Sequence, residues 1–361
     1  MTGVTHSDST QPVRPDLGID TERLAAWLAS AVAGFHGPLQ LQQFTGGQSN
    51  PTYLLTAHSG RYVLRRKPPG QLLASAHAVD REFRVLRALQ GQGVPVAAAL
   101  AHCTDESVAG TEFYVMEFVA GRVFWDPAFT DVPPEHRRAY FDAMNEALAG
   151  LHRLDYRALG LADFGRPERY VARQVTRWTR QYLEDEAGGR VPDMDRLIEW
   201  LPHFSPRDES TSLVHGDYRS DNLIFHPVEP RVMAVLDWEL ATLGDPLADF
   251  AYHLLMYHMP TLAFPGLMGR DIAALRLPSE SEYVEAYCAR TGRASIPDLD
   301  GYLAFCLFRL AAIFHGIRSR VVRGTSVSAK GREYARHVEA LAALGWQHVE
   351  LAERKSGAVR S

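Results

Sequence analysis

The sequence predicts an α+β protein of two lobes, a small N-terminal lobe with an antiparallel sheet plus a helix and a larger, mainly helical C-terminal lobe. Three observations carry this. Short apolar runs separated by Gly-bearing turns fill residues 39–119. Beyond Gly121, apolar residues recur at helical spacing. A polar loop between apolar strands, at residues 212–237, interrupts that helical part. At 361 residues the chain is long enough for two core-bearing units, on a prior of ~100–200 residues per domain.

Residues 1–18 are polar and Pro-bearing and read as a disordered leader. Asp20 or Thr21 is placed to cap a helix whose Leu24, Leu28, Ala31, Val32 and Phe35 share a face. Residues 39–44 read as a strand and 45–50 as a turn. Strands at 52–57 and 61–66 flank His58-Ser59-Gly60, a hairpin signal. A helix is expected over 75–89, stopped by Gly91 and Gly93, then a strand over 111–119. Residues 19–119 thus form the small lobe with its N-terminal helix, with a hinge at Val119-Ala120-Gly121. Residues 120–361 form the helical lobe. Its helices are expected over 134–151, 169–183, 194–201, 249–257, 280–290, 299–323 and 328–354.

Hydrophobic content of 46% and charged content of 22% are ordinary for a globular protein. The net charge of −5 gives no reason to expect nucleic acid. No apolar run approaches the ~18–20 residues that span a bilayer, so no membrane partner is expected. Residues 1–18 lack the apolar stretch of a secretory signal. Cys103, Cys288 and Cys306 are scattered and odd in number, which fits a reducing cytoplasm. The 15 histidines show no paired-ligand spacing with a carboxylate. Oligomeric state is not legible.

The most informative stretch is His215-Gly216-Asp217-Tyr218-Arg219-Ser220-Asp221-Asn222, followed by Val235-Leu236-Asp237-Trp238-Glu239. Asp217 and Asn222 stand at the spacing of the Asp and Asn in the protein-kinase catalytic loop. Asp237 ends the apolar run 232–236, which delivers a carboxylate to a strand end. In phosphoryl transfer an Asp accepts the proton of the attacking hydroxyl, while an Asn oxygen and a second Asp hold Mg²⁺ against the ATP phosphates. The plain alternative is a polar turn, since Asp and Asn are common turn residues. The apolar approach at 212–214 and exit at 223–225 weigh against it.

This stretch resembles the catalytic and metal segments of the aminoglycoside phosphotransferase family, the small-molecule branch of the protein-kinase-like fold. The resemblance implies a bilobal ATP- and Mg²⁺-dependent enzyme, with Asp217 as base and Asn222 and Asp237 as metal ligands. Gly46-Gly47-Gln48-Ser49-Asn50 resembles its phosphate loop: Gly46 and Gly47 admit phosphate to backbone N–H groups, and Ser49 or Asn50 adds side-chain contacts. Strand alternation puts Val63, Arg65 and Lys67 on one face. Val63 would cover adenine and Arg65 reach the phosphates, where most kinases carry Lys. Lys67 is the alternative, and a solvated basic edge the plain reading. Val79, Glu82 and Leu86 fall on one helix face, so Glu82 is placed to orient Arg65. A surface ion pair with Arg81, Arg84 or Arg87 is the alternative. Met116 takes the gatekeeper place, and Glu117 to Val119 form the hinge that meets adenine. His215 and Asp249 are expected to brace the loop, although Asp245 or Asp249 could simply cap a helix.

The short run from Asp237 to Asp245-Pro246 leaves no room for a protein kinase's activation loop, which points to a small-molecule hydroxyl. Within the family, Arg65-Arg66-Lys67-Pro68-Pro69-Gly70, the run 75–82 and Phe308-Arg309-Leu310-Ala311-Ala312-Ile313 look like phrases of the kinase domain fused to acyl-CoA dehydrogenases. That likeness implies a hydroxyacyl-CoA acceptor. The tract Arg318, Arg320, Arg323, Lys330, Arg332 and Arg336 would suit CoA phosphates, or equally a solvated helix face. An aminoglycoside or sugar is the competing acceptor. Readings of another class are a nucleotide-binding pseudokinase acting as scaffold, against which Asp217, Asn222 and Asp237 all count, and a metal-dependent phosphohydrolase, which needs a denser carboxylate or His cluster.

Overall fold

The structure, a computed structural model, describes residues 4–6, 9–13, 18–44, 50–68, 78–260, 266–325 and 329–360. Its two compact units do not divide at one point. Met1–Trp125, Asp155–Phe164 and Arg219–Ala241 form the first, and Asp126–Leu154, Gly165–Tyr218 and Thr242–Ser361 the second. Residues 219–241, expected in the helical lobe, thus join the first unit. The reason is backbone pairing: Phe225 pairs with Arg122, and Val235 N donates to Pro95 O at 2.8 Å.

In the first unit, two short strands fall inside the stretch read as a disordered leader, β1 (Val4–His6) and β2 (Thr10–Gln11). Helix α1 (Thr21–Ala31) follows, capped by Asp20, whose side chain accepts from Glu22 N and Arg23 N. Strands β3 (Gln40–Phe44), β4 (Thr52–Ala57) and β5 (Gly60–Arg66) precede helix α2 (Val79–Leu89). Then come β6 (Ala99–Cys103), the one-turn α3 (Glu106–Ala109) and β7 (Phe113–Glu117). A six-stranded antiparallel sheet results, in the order β2-β3-β4-β5-β7-β6. Leu24, Leu28, Val32 and Phe35 pack with Tyr53, Leu55, Leu64, Phe113 and Val115, so α1 covers one face of this sheet. A second sheet joins β1, β8 (Arg122–Phe124), and, beyond β9 (Ser212–Val214) of the other unit, β10 (Leu223–Phe225) and β11 (Val232–Val235). The leader's strands form because β3 and β8 offer backbone groups that a polar segment satisfies by pairing.

The second unit contains α4 (Pro134–His152), α5 (Tyr170–Glu184), α6 (Pro192–Trp200), α7 (Pro246–His258), α8 (Glu280–Thr291), α9 (Leu299–Val322), α10 (Ala329–Tyr334) and α11 (Val338–Arg360). The stretch 328–354, expected to be mostly helical, holds α10 and α11, with residues 335–337 between them. α9 is long and apolar enough by composition to cross a membrane, against expectation. However, 89% of that apolar window is buried inside the protein, as befits a core helix. β12 (Thr242–Gly244) pairs antiparallel with β9, setting Gly244 opposite Ser212 and Thr242 opposite Val214. Gly244 is required there, because a Cβ would stand 2.8 Å from the Tyr170 ring and 2.9 Å from Val214.

Candidate active site

In the first unit, β5 and β7 build the site. Their register sets Val63 opposite Met116 and Arg65 opposite Tyr114, all on the face away from α1. α2 packs against β6 and β7 and carries Glu82, which is 1% exposed. Arg65 Nε lies 2.9 Å from Glu82 Oε2, while its Nη2 donates to Asp237 Oδ1 at 2.7 Å and Glu239 Oε2 at 3.4 Å. Glu82 also accepts from Asn50 Nδ2 at 2.9 Å and from the Tyr114 hydroxyl at 3.0 Å. One guanidinium therefore answers three carboxylates. Burial works against the Arg65 charge, but Glu82 and Asp237 outweigh it and keep the group firmly protonated. Burial pushes the Glu82 carboxyl above its ordinary range; Arg65 pulls it back, and Asp237 adds to the rise.

The other expected nucleotide residues fall as follows. Asn50, expected at phosphate, is fully buried and donates to Glu82. Gly46, Gly47 and Ser49 lie outside the described residues, as does the run 69–77. Lys67, the alternative to Arg65, pairs with Glu112, whose other oxygen is 2.8 Å from His102 Nε2. Val63 is buried, Met116 half-buried and Glu117 exposed. Val119 packs with Met233 and Leu236 around Val123, Ile224 and Ala234, an apolar floor beside the end of β7.

Asn222 directly precedes β10, and Asp237 follows β11. Leu223 stands opposite Val235, and Leu236 N donates to Asn222 O at 2.8 Å. The hairpin thus brings both predicted metal ligands to one end. Asp237 has φ +62°, a left-handed conformation costing a non-glycine residue roughly 1 kcal/mol or more. An amide oxygen and a carboxylate suit a hard dication, and a guanidinium already rests on Asp237, so that carboxylate receives a cation. Among the described residues no three or more His, Cys, Asp or Glu side chains are grouped to hold a metal. Mg²⁺ beside phosphates does not need such a cage.

In the second unit, Asp217 leaves β9 after His215-Gly216. Gly216 has φ +83°, which favours glycine. This turn lets Asp249, on α7, accept from His215 N at 2.7 Å and Gly216 N at 2.8 Å. His152 Nε2 lies 3.2 Å from Asp249, and its Nδ1 is 2.7 Å from the Tyr287 hydroxyl. Burial pushes Asp249 upward, but His152 and the His215 N–H outweigh it, leaving the carboxyl below its ordinary range. Asp245 is the cap, accepting from Leu247 N at 2.9 Å, and it also accepts from the Tyr302 hydroxyl at 2.6 Å. Asp249 therefore braces the loop and Asp245 caps the helix, which resolves the two roles left open by sequence.

Sequence reasoning missed several partners. Tyr114 and Glu239 join the Arg65 cluster through strand register and a turn. The Tyr252 hydroxyl donates to Asp217 Oδ1 at 2.7 Å, and Arg309 Nη2 donates to Gly216 O at 2.8 Å. A usable signal was the spacing of Asp249 and Tyr252, one helical turn apart. The basic tract is partly neutralised: Arg318 pairs with Glu339 and Arg323 with Asp185. A recess of about 430 Å³, lined by Arg177, Arg180, Gln181, Glu184, Asp185 and Arg323, contains no predicted site residue.

The chain is similar to known proteins over most of its length. Residues 40–305 match the model of the phosphotransferase enzyme family. A mouse relative, acyl-CoA dehydrogenase family member 10, is 44% identical over 343 residues, covering 94% of this chain and 32% of the relative. The chain spans less than half the length of the curated relatives it matches. A solved structure from Ralstonia eutropha, assigned as an aminoglycoside phosphotransferase, is 47% identical with a TM-score of 0.86, covering 92% of this chain and 99% of that one. Choline kinase of Cryptosporidium parvum shares the fold, at 12% identity and a TM-score of 0.63, over 93% of this chain and 97% of that one.

Proposed function

The chain belongs to the phosphotransferase enzyme family, and from that premise we propose that it moves the γ-phosphoryl group of ATP to a hydroxyl of a hydroxyacyl-CoA. The observation that carries this reading is the fixed Arg65 guanidinium, held between Glu82 on α2 and Asp237 beyond β11. A buried cation so braced is suited to bidentate contact with nucleotide phosphates.

Arg65 binds the α- and β-phosphates, and Glu82 orients it. Gly46, Gly47 and Ser49 are assigned to the phosphates on sequence alone. Val63, Met116 and Val119 supply apolar contact to adenine, with backbone at Glu117 and Val119 for its polar edge. Asn222 and Asp237 would hold Mg²⁺, which would supply charge neutralisation to the nucleotide phosphates. Asp217 takes the acceptor hydroxyl's proton. The acceptor oxygen bonds to the γ-phosphorus as the bridging bond to the β-phosphate breaks, and ADP leaves with those electrons. The buried free cysteines Cys103, Cys288 and Cys306 fit work in a reducing cytoplasm.

The CoA acceptor rests on the 44% identical relative, named an acyl-CoA dehydrogenase family member. The paired state of Arg318 and Arg323 removes part of the support the basic tract offered. An aminoglycoside is the second reading, favoured by the assignment of the 47% identical structure. The test is acceptor-dependent ADP release across hydroxyacyl-CoAs, aminoglycosides and sugars, with and without Mg²⁺. The proposal expects release that rises with a hydroxyacyl-CoA and needs the metal. ATP binding with no acceptor-dependent release from any of them would favour a regulatory scaffold.

A further inference from the structure

Two buried groups of the second unit have no task in the chemistry above. Tyr252 on α7 is 6% exposed, and Arg309 on α9 is 7% exposed. The Tyr252 hydroxyl donates to Asp217 Oδ1 at 2.7 Å. The Arg309 guanidinium carbon lies 5.3 Å from the centre of the Tyr252 ring, within cation–π range, and its Nη2 donates to Gly216 O at 2.8 Å. A buried tyrosine needs some hydrogen-bond partner, and many acceptors would serve packing alone. A buried arginine is harder to explain by packing. No carboxylate forms an ion pair with Arg309 among the described residues, and its Nε has no hydrogen-bond partner. Stability alone would favour an apolar residue of that volume.

We infer that Tyr252 and Arg309 are positioning residues for Asp217, with Tyr252 fixing the rotation of the carboxylate and Arg309 fixing both the Tyr252 ring and the Gly216 peptide that precedes the base. This rests on the reading of Asp217 as the proton acceptor. A phenol donating to a carboxylate is a charge-assisted bond, stronger and more directional than a neutral one. It holds the group in one orientation before the acceptor arrives, which removes a reorganisation from the reactive step.

The experiment uses the full chain as Tyr252→Phe, Asp217→Asn and the double variant, with Arg309→Met and Arg309→Lys as a second pair. ADP release from MgATP is followed with the best acceptor from the screen and with water alone, beside the KM for ATP and the Tm. Tyr252→Phe should lower kcat roughly ten- to a hundredfold, the scale of a hydrogen bond to a charged group. KM for ATP should stay within about twofold, and in the Asp217→Asn background the change should cost nothing further. Arg309→Met should lower kcat likewise, with partial rescue by Arg309→Lys. Wild-type kcat in Tyr252→Phe, or an equal loss in both backgrounds, overturns the positioning role. Wild-type turnover in Asp217→Asn would instead overturn the assignment of the base.

Discussion

Two buried carboxylates organise the two units, and they are held in opposite ways. Glu82 in the first unit is met by a guanidinium, a phenol and an amide, yet its carboxyl sits above the ordinary range because burial and the neighbouring Asp237 oppose its charge. Asp249 in the second unit is buried as well, yet His152 and, after it, His215 hold it below that range. The difference lies in who supplies the compensation. At Asp249 the His215 and Gly216 donors are fixed by a turn and add to the stronger support of His152. The charge of Glu82 depends on a side-chain partner, the Arg65 guanidinium, which Asp237 and Glu239 also claim. A fixed anchor suits a loop that must keep a base in place. A shared pair holds one cation at the meeting point of several carboxylates.

Removing the charge of Asp249 should do the most damage. Asp249→Asn turns an amide N–H₂ toward backbone donors and leaves at least one unsatisfied, at about 1–3 kcal/mol for each such group. The variant should unfold at a Tm several degrees lower and lose more than about a hundredfold in turnover. A fully active Asp249→Asn of unchanged Tm would remove the anchor from the account. At Glu82 the loss should be functional first. Arg65→Ala and Glu82→Ala should each impair turnover, and the double variant should be little worse than the poorer single, because residues in contact act as one unit. Additive losses would mean the pair does not work together, and damage from Lys67→Ala with a silent Arg65→Ala would shift the phosphate contact two residues along the strand.

The smallest effect sharpens the comparison at a third carboxylate. Burial raises Asp245 to about 6. Its folded value lies above its unfolded one, so its contribution to stability is present below the unfolded value and is lost as pH rises through about 6. Relative to Asp245→Asn, the wild-type protein should lose about 1 kcal/mol of unfolding free energy between pH 5 and pH 8. Parallel stability curves for the two proteins would show that Asp245 does not titrate in this window.

Some of this was legible in the sequence, for reasons that concern local chemistry. The strand and helix order was readable because period-2 and period-3.6 patterns are local. The Arg65–Glu82 contact was implied by the family resemblance, with alternation on β5 and the i, i+3, i+7 face of α2 consistent with it. Asn50, Tyr114 and Glu239 were not readable as members of that cluster, because strand register and turns bring them there. The leader's strands were missed because a polar edge strand owes its order to its neighbour and not to its own composition. The basic tract misled because folding brings Glu339 of α11 to Arg318 and Asp185, just past α5, to Arg323. Tyr252 was hidden by an apolar-looking helix, and Arg309 by a core helix in which a charge reads as an exception.

The central claim is that Asp217 is the proton acceptor of a Mg²⁺-dependent phosphoryl transfer from ATP. It is tested most directly by measuring nucleotide affinity and ADP release on the same preparation of Asp217→Asn. MgATP affinity should remain within about threefold of wild type while turnover falls by ~10²–10⁴-fold, the scale of a positioned acid or base. Turnover near that of wild type, with nucleotide binding intact, would contradict the claim.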